Sequence, residues 1–230
     1  LAIQAGGLAG VLISTNGGVG GNGERAPGNL DHWGGNGGLA GQVGFTLLGS
    51  RIAAASVGVV ATANGGDGGL WAYSSDWGNG GAGAAATLTV GGTSVGATQY
   101  GLSVSSVGGS GQPNSSKRFA GLGGDRNAGN GANAGAVVVL LNGGSAVSVT
   151  GASPGAGLQA ISQGGTGGNA DYDEGTSGHN RTGFGGNAAS VGVTVSASTI
   201  STTGNAVAGI SALAIGGNAG QPGRNGEGAQ

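Results

Sequence analysis

The sequence predicts an all-β chain wound as a parallel β-solenoid of about four to five turns with long glycine-rich loops. Three observations lead there. One phrase, a glycine followed seven positions later by a glycine pair, occurs five times: Gly10 with Gly17-Gly18, Gly58 with Gly65-Gly66, Gly101 with Gly108-Gly109, Gly157 with Gly164-Gly165, and Gly209 with Gly216-Gly217. Successive copies begin 48, 43, 56 and 52 residues apart, the loose spacing of a stacked array with loops of variable length. Apolar residues within the phrase alternate with Ser and Thr, and tripeptides of the form Gly-Gly-X fill the stretches between phrases.

Each repeat reads as three short strands and one long loop. The phrase itself is the first strand. Val11 and Ile13, Val59 and Ala61, Leu102 and Val104, Leu158 and Ala160, and Ile210 and Ala212 fall on one face, leaving hydroxyl residues on the other. The loop follows, at 17–41, 65–83, 108–135 and 164–190, with a fifth begun at 216. Its three-residue period fits an extended helix of the polyproline II type, and successive loops are expected to bond sideways into a layer of polyglycine II helices. Each loop closes on a similar Gly/Asn phrase, at Asn36, Asn79, Asn130 and Asn187, which free linkers have no reason to repeat.

The second strand follows the loop, as in Val43-Gly-Phe45-Thr-Leu47, Ala86-Thr-Leu88-Thr-Val90, Val137-Val-Val139-Leu-Leu141 and Val191-Gly-Val193-Thr-Val195. A weaker third strand surrounds Ile52, Val95, Val147 to Val149, and Ile200. Helices are excluded by the period of two, the β-branched residues and the glycine in every window of helical length. A single turn cannot offset its own ordering entropy, so stability must come from stacking turn on turn. A flat sandwich is the structural rival, but sandwich strands need not resemble one another. All 230 residues are expected to form one repeat domain. The missing initiator methionine, with ends inside repeat and loop, reads as a piece of a longer chain.

Composition removes whole classes of function. Of 230 residues, 61 are glycine, only 16 are charged, and the net charge is -2, so no pull toward nucleic acid or anionic membrane is expected. Four prolines and no strict Gly-X-Y period exclude collagen. With no cysteine, neither disulfide nor thiolate-ligated metal can form, and no apolar run reaches the length of a membrane helix. No cofactor is expected.

Fifteen of the sixteen charged residues fall in the loops, Arg51 excepted, as do seven of the nine aromatics. A core of small aliphatics has little room for tryptophan, so loop aromatics either close the loops or face a partner. Trp71, Tyr73 and Trp77 with Asp76 form the best contact surface, aromatic faces beside a carboxylate suiting a sugar ring; Trp33 and Tyr172 are further contacts. Catalysis finds no support: His32 and His179 sit in different loops and no motif pins a nucleophile. The acidic run Asp171-Tyr-Asp173-Glu174 lacks the spacing of a calcium loop and reads as a solvated turn. Lys117 follows Ser116, so there is no P-loop. Asn114-Ser-Ser116 and Asn180-Arg-Thr182 match the glycosylation sequon.

The stretch Ser198-Thr-Ile-Ser-Thr-Thr-Gly-Asn-Ala-Val-Ala-Gly-Ile-Ser-Ala-Leu-Ala-Ile-Gly-Gly217 resembles the glycine-rich repeats of large bacterial autotransporter passengers. Those repeats run Ile-x-Thr-x-Gly-x-x-Ala-x-Gly-Ile-x-Ala-x-Ser-x-Gly-Gly before a glycine-rich loop. The likeness covers all five phrases, the earlier copies being degenerate. It implies a right-handed β-helix at the bacterial cell surface, secreted through an outer-membrane barrel and serving in adhesion, aggregation or surface coating. The expectation is therefore a structural or adhesive, filament-forming segment that self-associates end to end or laterally, with a surface glycan or protein as a further partner. The alternative is a glycan- or ice-binding solenoid using its loop aromatics or a flat Gly/Thr face. A solenoid hydrolase would need a carboxylate cluster on the strands, which the sequence lacks.

Overall fold

Alternation of apolar and hydroxyl residues produces sixteen strands in the computed structural model, which describes residues 1–7, 9–23, 34–70, 78–113, 126–151, 155–170, 180–204 and 207–221. In chain order these are β1 (Ala2–Ala5), β2 (Ala9–Asn16), β3 (Val43–Leu48), β4 (Arg51–Ala54), β5 (Val57–Asn64), β6 (Ala86–Gly91), β7 (Ser94–Ala97) and β8 (Tyr100–Val107). They continue with β9 (Arg126–Asn127), β10 (Val137–Asn142), β11 (Ala146–Val149), β12 (Gly155–Gln163), β13 (Asn180–Arg181), β14 (Val191–Val195), β15 (Thr199–Thr202) and β16 (Val207–Ile215).

Fourteen of the strands form three parallel sheets that share one core, the parallel β-solenoid of four to five turns expected from the repeats, while β9 and β13 pair separately. The first sheet runs β1-β4-β7-β11-β15, the second β2-β5-β8-β12-β16, and the third β3-β6-β10-β14. Each strand pairs with its equivalent one turn away, so the repeated phrases are piled in a column and the sandwich arrangement is excluded. Inward positions form ladders of like side chains. Val11, Val59, Leu102, Leu158 and Ile210 lie in register along the second sheet. Phe45, Leu88, Val139 and Val193 do so along the third, and Ile3, Ile52, Val95, Val147 and Ile200 along the first. Leu88, Leu102, Val139 and Leu158 are fully buried, each burial contributing roughly 1.5–3 kcal/mol.

The leading glycine of the phrase has a packing cause. A Cβ on Gly10 would lie 2.7 Å from the Ile52 Cγ2 and 2.7 Å from the Gly58 carbonyl oxygen. Gly58 meets Val95 in the same way, Gly101 meets Val147, and Gly157 meets Ile200. Each turn thus offers a side-chain-free socket in the second sheet to the aliphatic plug that the next turn sends from the first.

The corner from the third sheet to the first is built from a positive-φ residue, or two where Gly144 follows Gly143, and then a hydroxyl. Gly49 (φ 54°), Gly92 (φ 56°), Gly143 (φ 61°) and Ala197 (φ 46°) occupy the first position. The Ser50, Thr93 and Ser145 hydroxyls that follow are buried and donate to the carbonyls of Leu48 (3.0 Å), Gly91 (3.0 Å) and Asn142 (2.6 Å). The Thr93 and Ser145 oxygens also accept the Ser50 and Thr93 N–H groups of the turn before, both at 3.3 Å. Sequence reading did not anticipate this hydroxyl ladder, nor the short pairing of β9 with β13 inside two of the loops.

Candidate functional site

Glycine at two of every three loop positions leaves a backbone without side chains, and backbone N–H groups must then find partners of their own. The loops leave the second sheet in outgoing legs (17–23, 65–70, 108–113, 164–170 and 216–221) and come back to the third in returning legs (34–41, 78–85, 128–136 and 182–190). Within the outgoing layer every third N–H bonds to the leg above: Gly17 to the Asn64 carbonyl (2.8 Å), Gly20 to Asp67 (2.9 Å) and Gly23 to Leu70 (3.0 Å). The returning layer does the same, with Gly37 donating to Asn79 (2.8 Å), Gly80 to Asn130 (2.9 Å) and Gly131 to Phe184 (2.8 Å).

The next N–H in each triplet crosses between the layers. One zigzag climbs the whole stack: Gly38 donates to Gly18, Gly66 to Gly38, Gly81 to Gly66, Gly109 to Gly81, Ala132 to Gly109, Gly165 to Ala132, Gly186 to Gly165 and Gly217 to Gly186, all at 2.6–3.0 Å. This is the sideways bonding expected of polyglycine II. Most interior positions leave no room for a side chain, a Cβ on Gly38 lying 2.8 Å from the Gly18 nitrogen, and Ala132 is the one residue of this zigzag that carries one.

The third N–H of a triplet is left free by both layers, and where an asparagine or aspartate stands level with it one turn back, that side chain answers it. Side-chain Oδ1 atoms of Asn36, Asn79 and Asn130 accept the N–H of Asn79 (3.0 Å), Asn130 (2.7 Å) and Phe184 (2.8 Å) one turn on. Asn133 serves Asn187 (2.8 Å), Asn22 serves Leu70 (3.0 Å), Asp67 serves Ser110 (2.7 Å) and Asn169 serves Gln221 (2.8 Å). The recurring loop asparagines are thus explained, with one correction. Asn187 does not continue the column of Asn36, Asn79 and Asn130; it sits over Asn133, and Phe184 takes the place above Asn130.

The six contact residues expected from the sequence, Trp33, Trp71, Tyr73, Asp76, Trp77 and Tyr172, lie outside the described residues. So do His32, His179 and the acidic run from Asp171 to Glu174. Among the described residues, no group of three or more His, Cys, Asp or Glu side chains comes together to hold a metal, and no helix is long and apolar enough to cross a membrane. The outer faces of the block carry single apolar side chains, Val19, Leu39 and Phe184, each 70–75 % exposed. The outgoing layer also has an open groove of about 410 Å³ lined by Pro113, Thr166, Asn169, Asn218 and Gln221, whose amides and hydroxyl offer hydrogen bonds but no charge.

The outward face of the third sheet ranks Thr46, Thr89, Leu140 and Thr194 in register, with Thr87 alongside. Thr202 departs from that pattern: it pairs with the buried Val149 on the core side of the first sheet. Comparison of the chain with protein-family models, with curated proteins and with solved structures returned no match.

Proposed function

We infer that this chain is a structural and adhesive repeat segment of an exported cell-surface or extracellular protein, similar in role to the autotransporter passengers its phrases resemble. One observation carries this reading. The polar groups of the described loops are used to bind turn to turn, through two layers of backbone bonds and the Asn/Asp bonds on their faces. A fold that spends its loops on cohesion is suited to a rigid spacer or coating that grows by one turn per repeat, about 4.8 Å at a time.

Self-association belongs to this reading. Among the described residues nothing lies within 4 Å of where a Cβ on Gly209 would sit, so its socket holds no plug. Ile210, Leu213 and Ile215 on the same strand are 42–46 % exposed among the described residues, and an open parallel strand of this kind templates a further turn, whether of the same chain or of another copy. Displaying the chain on cells behind an unrelated anchor is expected to make them aggregate or adhere. Cells indistinguishable from those bearing the anchor alone would remove the reading, and a monomeric sedimentation profile at high concentration would remove its filament component.

The alternative, an ice- or glycan-binding solenoid, draws support from the uncharged threonine rank on the third sheet, which Leu140 interrupts. Thermal hysteresis that disappears in a Thr89→Lys variant would favour it, and its absence in the unaltered chain would dispose of the ice reading.

A further inference from the structure

We propose that the Asn142-Gly143 corner is a self-modification site, at which the folded chain deamidates selectively, with water as the only co-reactant. Asn-Gly is the dipeptide most open to this chemistry, because glycine places no side chain in the way of ring closure. Seven such pairs lie among the described residues, beginning at Asn16, Asn22, Asn36, Asn64, Asn79, Asn130 and Asn142.

Six of the seven are held. The attacking atom would be the glycine nitrogen, and in each of the six its N–H donates to a carbonyl of the next turn: Gly17 (2.8 Å), Gly23 (3.0 Å), Gly37 (2.8 Å), Gly65 (2.8 Å), Gly80 (2.9 Å) and Gly131 (2.8 Å). The electrophilic side chain is also held in four of them, where the Oδ1 of Asn22, Asn36, Asn79 or Asn130 accepts a backbone N–H. Ring closure there requires local opening of the glycine block. Asp67-Gly68, open to the same cyclisation, is tied down identically: Gly68 donates to Ser110 (3.0 Å) and the carboxylate accepts the Ser110 N–H (2.7 Å).

Asn142-Gly143 differs in each respect. It lies at the corner between β10 and β11, outside the glycine block. The Gly143 N–H has no hydrogen-bond partner among the described residues, Gly143 is exposed, and both Gly143 (φ 61°) and Gly144 (φ 77°) have the permissive positive-φ backbone. The Asn142 side chain makes no hydrogen bond among the described residues and lies over Gly91 of the turn below. The Gly143 nitrogen and the Asn142 carboxamide are therefore adjacent, and neither is held by a hydrogen bond among the described residues, although the Asn142 carbonyl is.

The reaction needs no oxidant or cofactor. The Gly143 nitrogen, its proton lost to base, attacks the Asn142 Cγ; a C–N bond forms, the side-chain nitrogen leaves as ammonia, and a five-membered imide results. Water then opens the imide at either carbonyl, giving aspartate or isoaspartate. Isoaspartate routes the backbone through one extra methylene at the position whose carbonyl oxygen accepts the Ser145 hydroxyl (2.6 Å) and the Gly92 N–H (3.3 Å). With neither cysteine nor methionine, sulfur oxidation is closed to this chain, and the corner becomes its chemical record of age.

The test is incubation of the folded chain in mildly alkaline buffer, with peptide mapping by mass spectrometry and fragmentation that separates isoaspartate from aspartate. Asn142 is expected to convert at least about tenfold faster than the six held asparagines, the protection that a single hydrogen bond already implies. In denaturant all seven should convert at comparable rates. Gly143→Ala should slow conversion at Asn142 without changing the six held pairs, and Asn142→Gln, whose longer side chain does not close the five-membered ring, should leave no fast Asn-Gly pair among the described residues. Persistence of Asn142 in the folded chain for as long as Asn79 or Asn130 would overturn the proposal, as would conversion of the held pairs at the same rate.

Discussion

Ala197 holds φ at 46°, at a corner where the three preceding turns place glycine with positive φ. A Cβ in the left-handed region costs roughly 1–2 kcal/mol, while glycine costs roughly 0.5–1 kcal/mol in backbone entropy. The difference favours glycine. Ala197→Gly is expected to raise stability by about 0.5–1 kcal/mol, read as a higher urea midpoint at unchanged slope; a lower midpoint would show that the corner does not set its own cost. The hydroxyl after it has a separate task. Ser50, Thr93 and Ser145 close each corner by donating to a carbonyl, and Thr93 and Ser145 also accept an N–H from the turn before, so a small buried polar residue stands where the aliphatic ladder stops. The sequence contains these residues, but Ser and Thr are so common in this chain that their spacing carries no signal.

Between elements, registration is set by the plug and its socket. In the middle of the stack Gly101 receives Val147, while at the end Gly209 has nothing near it among the described residues. The two glycines occupy the same position of the same phrase, so they make a matched pair. Gly101→Ala is expected to cost about 1–3 kcal/mol as Val147 and the adjoining backbone are forced aside, and Gly209→Ala to stay within about 0.5 kcal/mol of the unaltered chain. Chemical denaturation compares them directly; equal losses would mean that the glycine answers a local strand preference instead of a contact between turns. The phrase was legible because glycine recurs at one fixed place in it. Its cause was not, because the plug lies in a different strand of a different turn.

For the whole molecule, two structures with different bonding rules share one axis: a sheet-walled solenoid with an aliphatic core, and a glycine block whose interlayer zigzag is glycine throughout the described residues except at Ala132. Hydrogen exchange should find them comparably protected in the middle turns. Amides of Gly66, Gly81, Gly109 and Gly165, each bonded between layers, should exchange as slowly as those of β5 and β8, with protection falling toward both ends as in any one-dimensional array. Exchange of those glycines at the unprotected rate would mean that the block is not ordered in solution.

Strand alternation and the five glycine phrases determined the solenoid and the number of its turns, because a period of two and a repeated motif are written along the chain itself. The period of three in the loops likewise announced extended legs. Tertiary structure alone decided that those legs form two interlocked layers, that asparagine Oδ1 atoms answer the outward N–H groups, and that Phe184 follows Asn130 while Asn187 follows Asn133. The reason is physical: a hydrogen bond between residues more than forty positions apart depends on the length of each intervening loop. Those lengths vary from turn to turn, and only the folded stack shows which residues they bring level.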